Sequence, residues 1–153
     1  MQRKRCAVRD SAHELHKNWI NFAPILKHGR HTSPNRSIRF AMASVNDLWL
    51  IDFGDPYPGE PAWHRPALVL GPPETFGPTF PFAIVAPLTT TERGISLHIE
   101  VEATDDTGLD QASFVQCELI RSINTRRLVY RLGTIDPTAS RQVKEVLRTL
   151  LDH

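Results

Sequence analysis

Three polar residues stand where short apolar runs begin or end. Arg65 precedes Ala67-Leu68-Val69-Leu70, Thr89 follows the run Phe80 to Leu88, and Glu118 closes the run that starts at Ala112. A guanidinium offers a rigid fork of donors that matches phosphate or carboxylate. A hydroxyl can bond a phosphate oxygen, and a carboxylate can take a proton. A cation, a hydroxyl and a carboxylate converging in space are the minimum for metal-free phosphodiester transfer in RNA. In that reaction the ribose 2′-hydroxyl loses a proton, the 5′-oxygen gains one, and the crowded phosphorane needs its charge matched. Strand ends suit such groups, because a rigid scaffold there presents side chains to solvent. Each residue alone also reads as a surface group finishing a loop, so the chemistry requires that they meet.

The elements that must bring them together are mostly strands. Val45 to Phe53 is an aromatic, β-branched first strand, followed by a loop stiffened by Pro56, Pro58 and Pro61. Ala67 to Leu70 reads as a short buried strand with Pro66 at its entry. Phe80 to Leu88 is a third, and Ser96 to Glu102 alternates apolar and polar as a half-exposed strand should. In that alternation His98 should face away from the core, in a structural role. Ala112 to Glu118 follows, continues irregularly through Ile120 to Ile123, and Val129 to Ile135 is the last strand. A helix then starts with Asp136 as N-cap and Pro137 in its first turn, with Val143, Val146, Leu147 and Leu150 as one apolar stripe. The pattern predicts a mainly β fold with a C-terminal helix: a small, mainly antiparallel barrel.

At 153 residues the chain fits one domain with a proper core, and no apolar run is long enough to cross a bilayer. Its near-neutral charge hides an asymmetry. Residues 1–41 carry nine Lys/Arg against two acids, net +7, and the remainder nine against fifteen, net −6. The basic stretch lacks steady periodicity and a secretory signal, and Met42 stands directly before the first strand. Residues 1–41 are therefore expected to be a disordered extension, or sequence upstream of a true start at Met42, with residues 42–153 as the domain. His13, His16, His28 and His31 near Cys6 match no standard zinc spacing. No metal and no cofactor is expected. Cys6 and Cys117 form no disulfide framework, which fits a reducing cytoplasm.

From Asn46 to Leu151, about two-thirds of its length, the chain resembles the MazF/PemK/Kid family of toxin endoribonucleases, the mRNA interferases of toxin–antitoxin systems. The blocks that carry the likeness are Asp47 to Phe53; Gly59-Glu60 through Arg65 to Leu70; Ala86-Pro87-Leu88-Thr89-Thr90; Ile120 to Ile123; and Arg131 to Ile135. The resemblance implies an SH3-like small barrel of the CcdB/MazF type and a homodimer. It also implies metal-independent cleavage of single-stranded RNA at short sequences, leaving a 2′,3′-cyclic phosphate. Arg65 and Thr89 match the catalytic pair, with Arg65 stabilising charge and moving a proton to the leaving oxygen, and Thr89 binding the scissile phosphate. Glu118 matches an acidic position that assists as base or orienter. Glu60 is expected to hold Arg65 by a charge-assisted hydrogen bond. The implied partner is a cognate antitoxin whose acidic, disordered segment folds across the RNA groove.

Some positions depart from the family pattern. Pro61 and Trp63 intervene before the arginine, and Glu118-Leu119 replaces a common Asp-Gln. Leu119 removes an amide that could read a base, and Trp63 could offset that by stacking on one. His64, beside Arg65, is a candidate proton donor near neutral pH. Thr90, Arg93 and Arg121 are candidates for phosphate or RNA contact. With the domain near −6, attraction for RNA must come from a local patch. A non-enzymatic CcdB-like gyrase poison, or an inactive relative that only binds antitoxin, are the alternatives in other functional classes.

Overall fold

A computed structural model describes residues 43–71 and 80–152. The basic stretch 1–41, the Met42 boundary, Cys6 and the four N-terminal histidines lie outside the described residues. Seven strands and one helix follow in order: β1 (Asp47–Asp52), β2 (His64–Gly71), β3 (Phe82–Thr89), β4 (His98–Val101), β5 (Ser113–Gln116), β6 (Arg121–Asn124), β7 (Leu128–Thr134) and α1 (Pro137–Leu151). The run through Ile123 is broken by a 3-10 turn, Cys117–Leu119, which separates β5 from β6. Glu118 therefore lies in that turn and not on a strand, and Arg65 lies inside β2 and not ahead of it.

All pairings are antiparallel, in the order β4-β5-β3-β2-β1-β7. β3 is the centre: β2 takes one edge, and β5 and β6 share the other in succession. Among the described residues the end strands β4 and β7 do not pair, so the small barrel-like sheet is not closed. Its two faces bury separate clusters. Leu48, Leu68, Ala86, Leu88, Val101 and Val115 pack with Ala139 and Val143 of α1. Trp49, Ile51, Phe53, Ala67, Val69, Val85 and Ile123 form the second cluster on the opposite face. Strands buried on both sides read as continuous apolar runs, which is why Ala67 to Leu70 shows no alternation.

The helix begins as its sequence predicts. Asp136 Oδ1 accepts from the backbone N–H of Thr138 at 2.7 Å and of Ala139 at 3.1 Å, with Pro137 in the first turn. Val143 is buried and Val146 and Leu147 pack on the helix-side cluster. Leu150, assigned to the same stripe, is 39 % exposed.

Close backbone contact fixes β7. Thr134 N–H donates to Asp106 O at 2.9 Å, and a Cβ on Gly133 would overlap that carbonyl. Gly108, at φ +65, meets the Leu132 carbonyl in the same way. Asp47 ties β1 to β7: its carboxylate accepts from Ser44 N–H at 3.0 Å and from Arg131 Nε at 2.9 Å. Burial alone would raise the Asp47 carboxyl, but the Arg131 bond and charge and the Ser44 N–H hold it below the usual carboxylate value.

Candidate functional site

Strand register sets the site. β2 and β3 pair as Val69↔Val85, Leu68↔Ala86 and Ala67↔Pro87. Carried two residues past that last pair, the same register sets Arg65 opposite Thr89. Directly opposed residues of antiparallel strands share a face, so both belong to the face of Ala67, Val69 and Val85. On β1, Ile51 pairs with Arg65 and lies in the same cluster. Arg65 and Thr89 thus sit at one end of the second cluster, where β2 starts and β3 stops.

Arg65 is half-buried, and its Nε–H donates to Ala62 O at 3.1 Å. Among the described residues it makes no ion pair. Burial pushes its guanidinium below the usual arginine value. The Thr89 hydroxyl oxygen accepts from Thr91 N–H at 3.2 Å, which leaves its own proton to donate. Across the other edge of β3, Thr89 pairs with Phe114 of β5. The strand order therefore runs Arg65 on β2, Thr89 on β3, then β5 and its 3-10 turn carrying Glu118.

Glu118 is held from β4. Its Oε1 lies 2.9 Å from His98 Nε2, across twenty residues of sequence. The His98 side chain is 2 % exposed, against the expectation that it faces solvent. It does point away from Ile99 and Val101, as the alternation requires, but the turn after β5 covers that second face. Beside Glu118, burial and the carboxylate's charge raise the Cys117 thiol to about 11. Cys117 is buried, free and protonated, and unfit as a nucleophile.

Glu60 does not hold Arg65. Its Oε1 lies 3.7 Å from Arg121 Nη2 of β6, and its Oε2 accepts from Tyr57 N–H at 3.3 Å. Arg121 pairs with Val85 in register, so it shares the face of Arg65, and its guanidinium lies 5.8 Å from the centre of the Phe53 ring. By register Arg65, Thr89 and Arg121 therefore share one face of the sheet, and the β1–β2 loop reaches it through Glu60.

A family model described as a PemK-like, MazF-like toxin of type II toxin–antitoxin systems matches residues 44–151. The chain belongs to this family. Among solved structures, toxin MazF-mt6 of Mycobacterium tuberculosis is 25 % identical, covering 69 % of this chain and 96 % of its own, with TM-score 0.57. MazF from Deinococcus radiodurans is 23 % identical over 73 % of this chain and 98 % of its own, with TM-score 0.64. An endoribonuclease in complex with its cognate antitoxin, from a mycobacterial species, is 18 % identical over 72 % of this chain and 95 % of its own, with TM-score 0.59. The fold is that of the MazF toxins.

The remaining candidates of this MazF-like chain fall around the rim or away from it. His64 pairs with Asp52 and, one residue from Arg65, takes the opposite face of β2. That alternation removes it from the Arg65 side. Trp63 is 56 % exposed and sits at φ 53, a left-handed conformation that side chains avoid. Two backbone bonds hold it there: Phe53 N–H to Trp63 O at 2.9 Å and Trp63 N–H to Gly54 O at 3.0 Å. Thr90 is half-buried just past β3, and Arg93 is exposed in the following loop. Leu119 is half-buried in the turn with Glu118. Two residues were missed as site groups: Phe53, under Arg121, and His98, bonded to Glu118. No helix among the described residues is long and apolar enough to cross a membrane. Among the same residues no group of three His, Cys, Asp or Glu could hold a metal ion.

Proposed function

We propose that this MazF-like toxin is a metal-independent endoribonuclease that cleaves single-stranded RNA at a short sequence. What supports the reading is the β2–β3 register: continued two residues past Ala67↔Pro87, it sets Arg65 opposite Thr89. The Glu118 carboxylate takes the proton from the ribose 2′-hydroxyl, and the 2′-oxygen attacks phosphorus. The phosphorus–5′-oxygen bond breaks, its electron pair leaves with the 5′-oxygen, and the product ends are a 2′,3′-cyclic phosphate and a 5′-hydroxyl. Arg65 matches the charge of the phosphorane and shares a proton with the leaving oxygen. Burial of its guanidinium, which weakens its hold on that proton, supports the second role. Thr89 donates to a phosphate oxygen. Arg121 and Arg93 supply the local positive field that the acidic domain lacks overall, and exposed Trp63 stacks on a base.

The toxin acts in the cytoplasm as a homodimer. A cognate antitoxin silences it by laying an acidic segment over the Arg65–Arg121 rim. The mycobacterial endoribonuclease of the same fold, solved in complex with its cognate antitoxin, supports control by such a partner. Incubation with a long RNA in EDTA tests the activity, alongside Arg65→Ala and a substrate carrying a 2′-deoxy sugar at the mapped site. Cleavage that requires Arg65 and the 2′-hydroxyl supports the nuclease. Intact RNA with stalled gyrase replaces it with the poison.

A further inference from the structure

Among the described residues His98 and Glu118 form a titratable couple that joins β4 to the turn after β5. His98 Nε2 and Glu118 Oε1 are 2.9 Å apart, and the histidine is nearly sealed from solvent. The two outer atoms of the couple, His98 Nδ1 and Glu118 Oε2, are buried without a hydrogen-bond partner. Pairs kept only for the fold normally have their outer atoms satisfied as well, because an unpaired buried polar group is costly. This pair spends its whole hydrogen-bonding contact on one geometry and leaves the carboxylate's second oxygen unengaged.

The proton count follows from that arrangement. An imidazolium would bury an unpaired Nδ1–H donor, and a neutral ring with its proton on Nδ1 would do the same while placing two acceptors face to face. The neutral ring with its proton on Nε2 donates to Glu118 Oε1 and leaves Nδ1 as an unpaired acceptor, a smaller cost than a buried, unpaired N–H donor. Donation of this kind orients a carboxylate. Backbone contact fixes the donor in turn. Cys117 N–H donates to Leu97 O at 3.2 Å, and His98 pairs with Gln116 in register, so β4 and the start of the turn cannot slide independently.

We infer that His98 is the positioning residue of Glu118: as the Nε2–H tautomer it holds Oε1 and so fixes the plane in which the carboxylate accepts the ribose proton. The inference rests on the nuclease reading above. His98 itself touches neither RNA nor the reacting atoms. At this pair one proton moves, from the 2′-oxygen to Glu118, while the leaving 5′-oxygen takes its proton at Arg65 and the His98–Glu118 proton stays on nitrogen throughout.

Steady-state cleavage of a defined RNA by the full chain tests this, with His98→Ala, His98→Gln and Glu118→Gln and the double variant His98→Ala/Glu118→Gln. Misplacing a catalytic group costs about 10²-fold, so His98→Ala should lower kcat by that order with little change in KM. His98→Gln, whose amide also donates to Oε1, should recover most of the rate. In the Glu118→Gln background His98→Ala should change kcat by less than about twofold, as expected for two residues acting as one unit. Thermal unfolding of each variant and the ¹⁵N shifts of His98 in the wild type accompany the kinetics. The shifts should show a neutral ring protonated at Nε2.

A wild-type rate untouched by His98→Ala overturns the inference, as does an imidazolium or an Nδ1–H tautomer. So does a loss in both His98 variants that tracks falling stability and adds to Glu118→Gln. A wild type that leaves RNA intact overturns the nuclease reading itself, and with it the use of the pair. If His98→Ala does not fold, His98→Gln and the ¹⁵N shifts still decide: an inactive but folded His98→Gln sinks the inference.

Discussion

The two ends of β1 do opposite things with their polar groups. At the Asp47 end the side chains of Asp47 and Asn46 are bonded inside the protein. Asp47 takes Ser44 N–H and Arg131, Asn46 Oδ1 takes the Ser140 hydroxyl at 2.8 Å, and Ile135 N–H reaches Asn46 O at 3.1 Å. At the Phe53 end the groups are held but not used up. Arg65 spends one of five donors on Ala62 O, Trp63 is kept left-handed, and across β3 Glu118 Oε2 is buried without a partner. A left-handed side-chain residue costs about 1–2 kcal/mol, and such costs persist where the surroundings over-determine them. Satisfied groups build the fold, and unspent capacity marks the place for a ligand.

Arg65→Ala should have the largest effect on cleavage. Loss of one preorganised donor from a charged transition state costs about 10²–10³-fold in rate. The fold loses only the bond to Ala62 O, so stability by urea unfolding should move by about 1 kcal/mol or less. A large stability loss alongside the lost activity would make Arg65 a structural residue and erase the difference between the two ends.

Leu48→Ala sharpens it from the other side. Leu48 is wholly buried against the helix-side cluster, and its truncation should cost about 2–5 kcal/mol. RNA cleavage measured well below the new melting midpoint should be unchanged. A rate that falls with Leu48 would show that the helix-side cluster sets the geometry of the rim.

What the residues reveal in advance depends on how local the cause is. Asp136 and Pro137 announce the helix start because the cap bonds reach two and three residues ahead. Arg65 and Thr89 are legible as strand-end groups because the apolar runs beside them are short and clean. The Glu60–Arg121 and His98–Glu118 contacts are not legible, since each joins distant segments through a sheet that curves. His98 misleads for a further reason: alternation tells inside from outside only when one face is solvated, and the turn after β5 covers the second face of β4. The same turn hides Glu118, because Cys117–Leu119 is as apolar around its one carboxylate as a strand would be.

Asp136→Ala tests the satisfied end at its simplest contact. Removing the cap should cost about 1 kcal/mol in thermal or urea unfolding and leave cleavage untouched. The Ala139 and Thr138 N–H groups hold the Asp136 carboxyl below its ordinary value. Its contribution is therefore present at neutral pH and fades as acid protonates it. A loss of cleavage with this cap would contradict the separation.

The smallest effect is the most diagnostic of charge. Asp47 titrates below the unfolded value of about 3.9, with burial opposing the shift and the Arg131 and Ser44 bonds outweighing it. A carboxyl depressed on folding adds stability above the unfolded value and loses it as pH falls through the folded one. Asp47→Asn should cost roughly 0.5–1 kcal/mol near pH 7, a small figure because the Arg131 end of the pair is open to water. The gap between wild type and variant should hold from pH 7 down to about pH 4 and close below it, since protonated Asp47 binds Arg131 no better than Asn does. Urea unfolding at several pH values measures this directly. A gap that stays constant into acid would mean that shape, not charge, joins β1 to β7. Cleavage at pH 7 should be the same in both proteins, because at this end of β1 nothing is left over to meet a substrate.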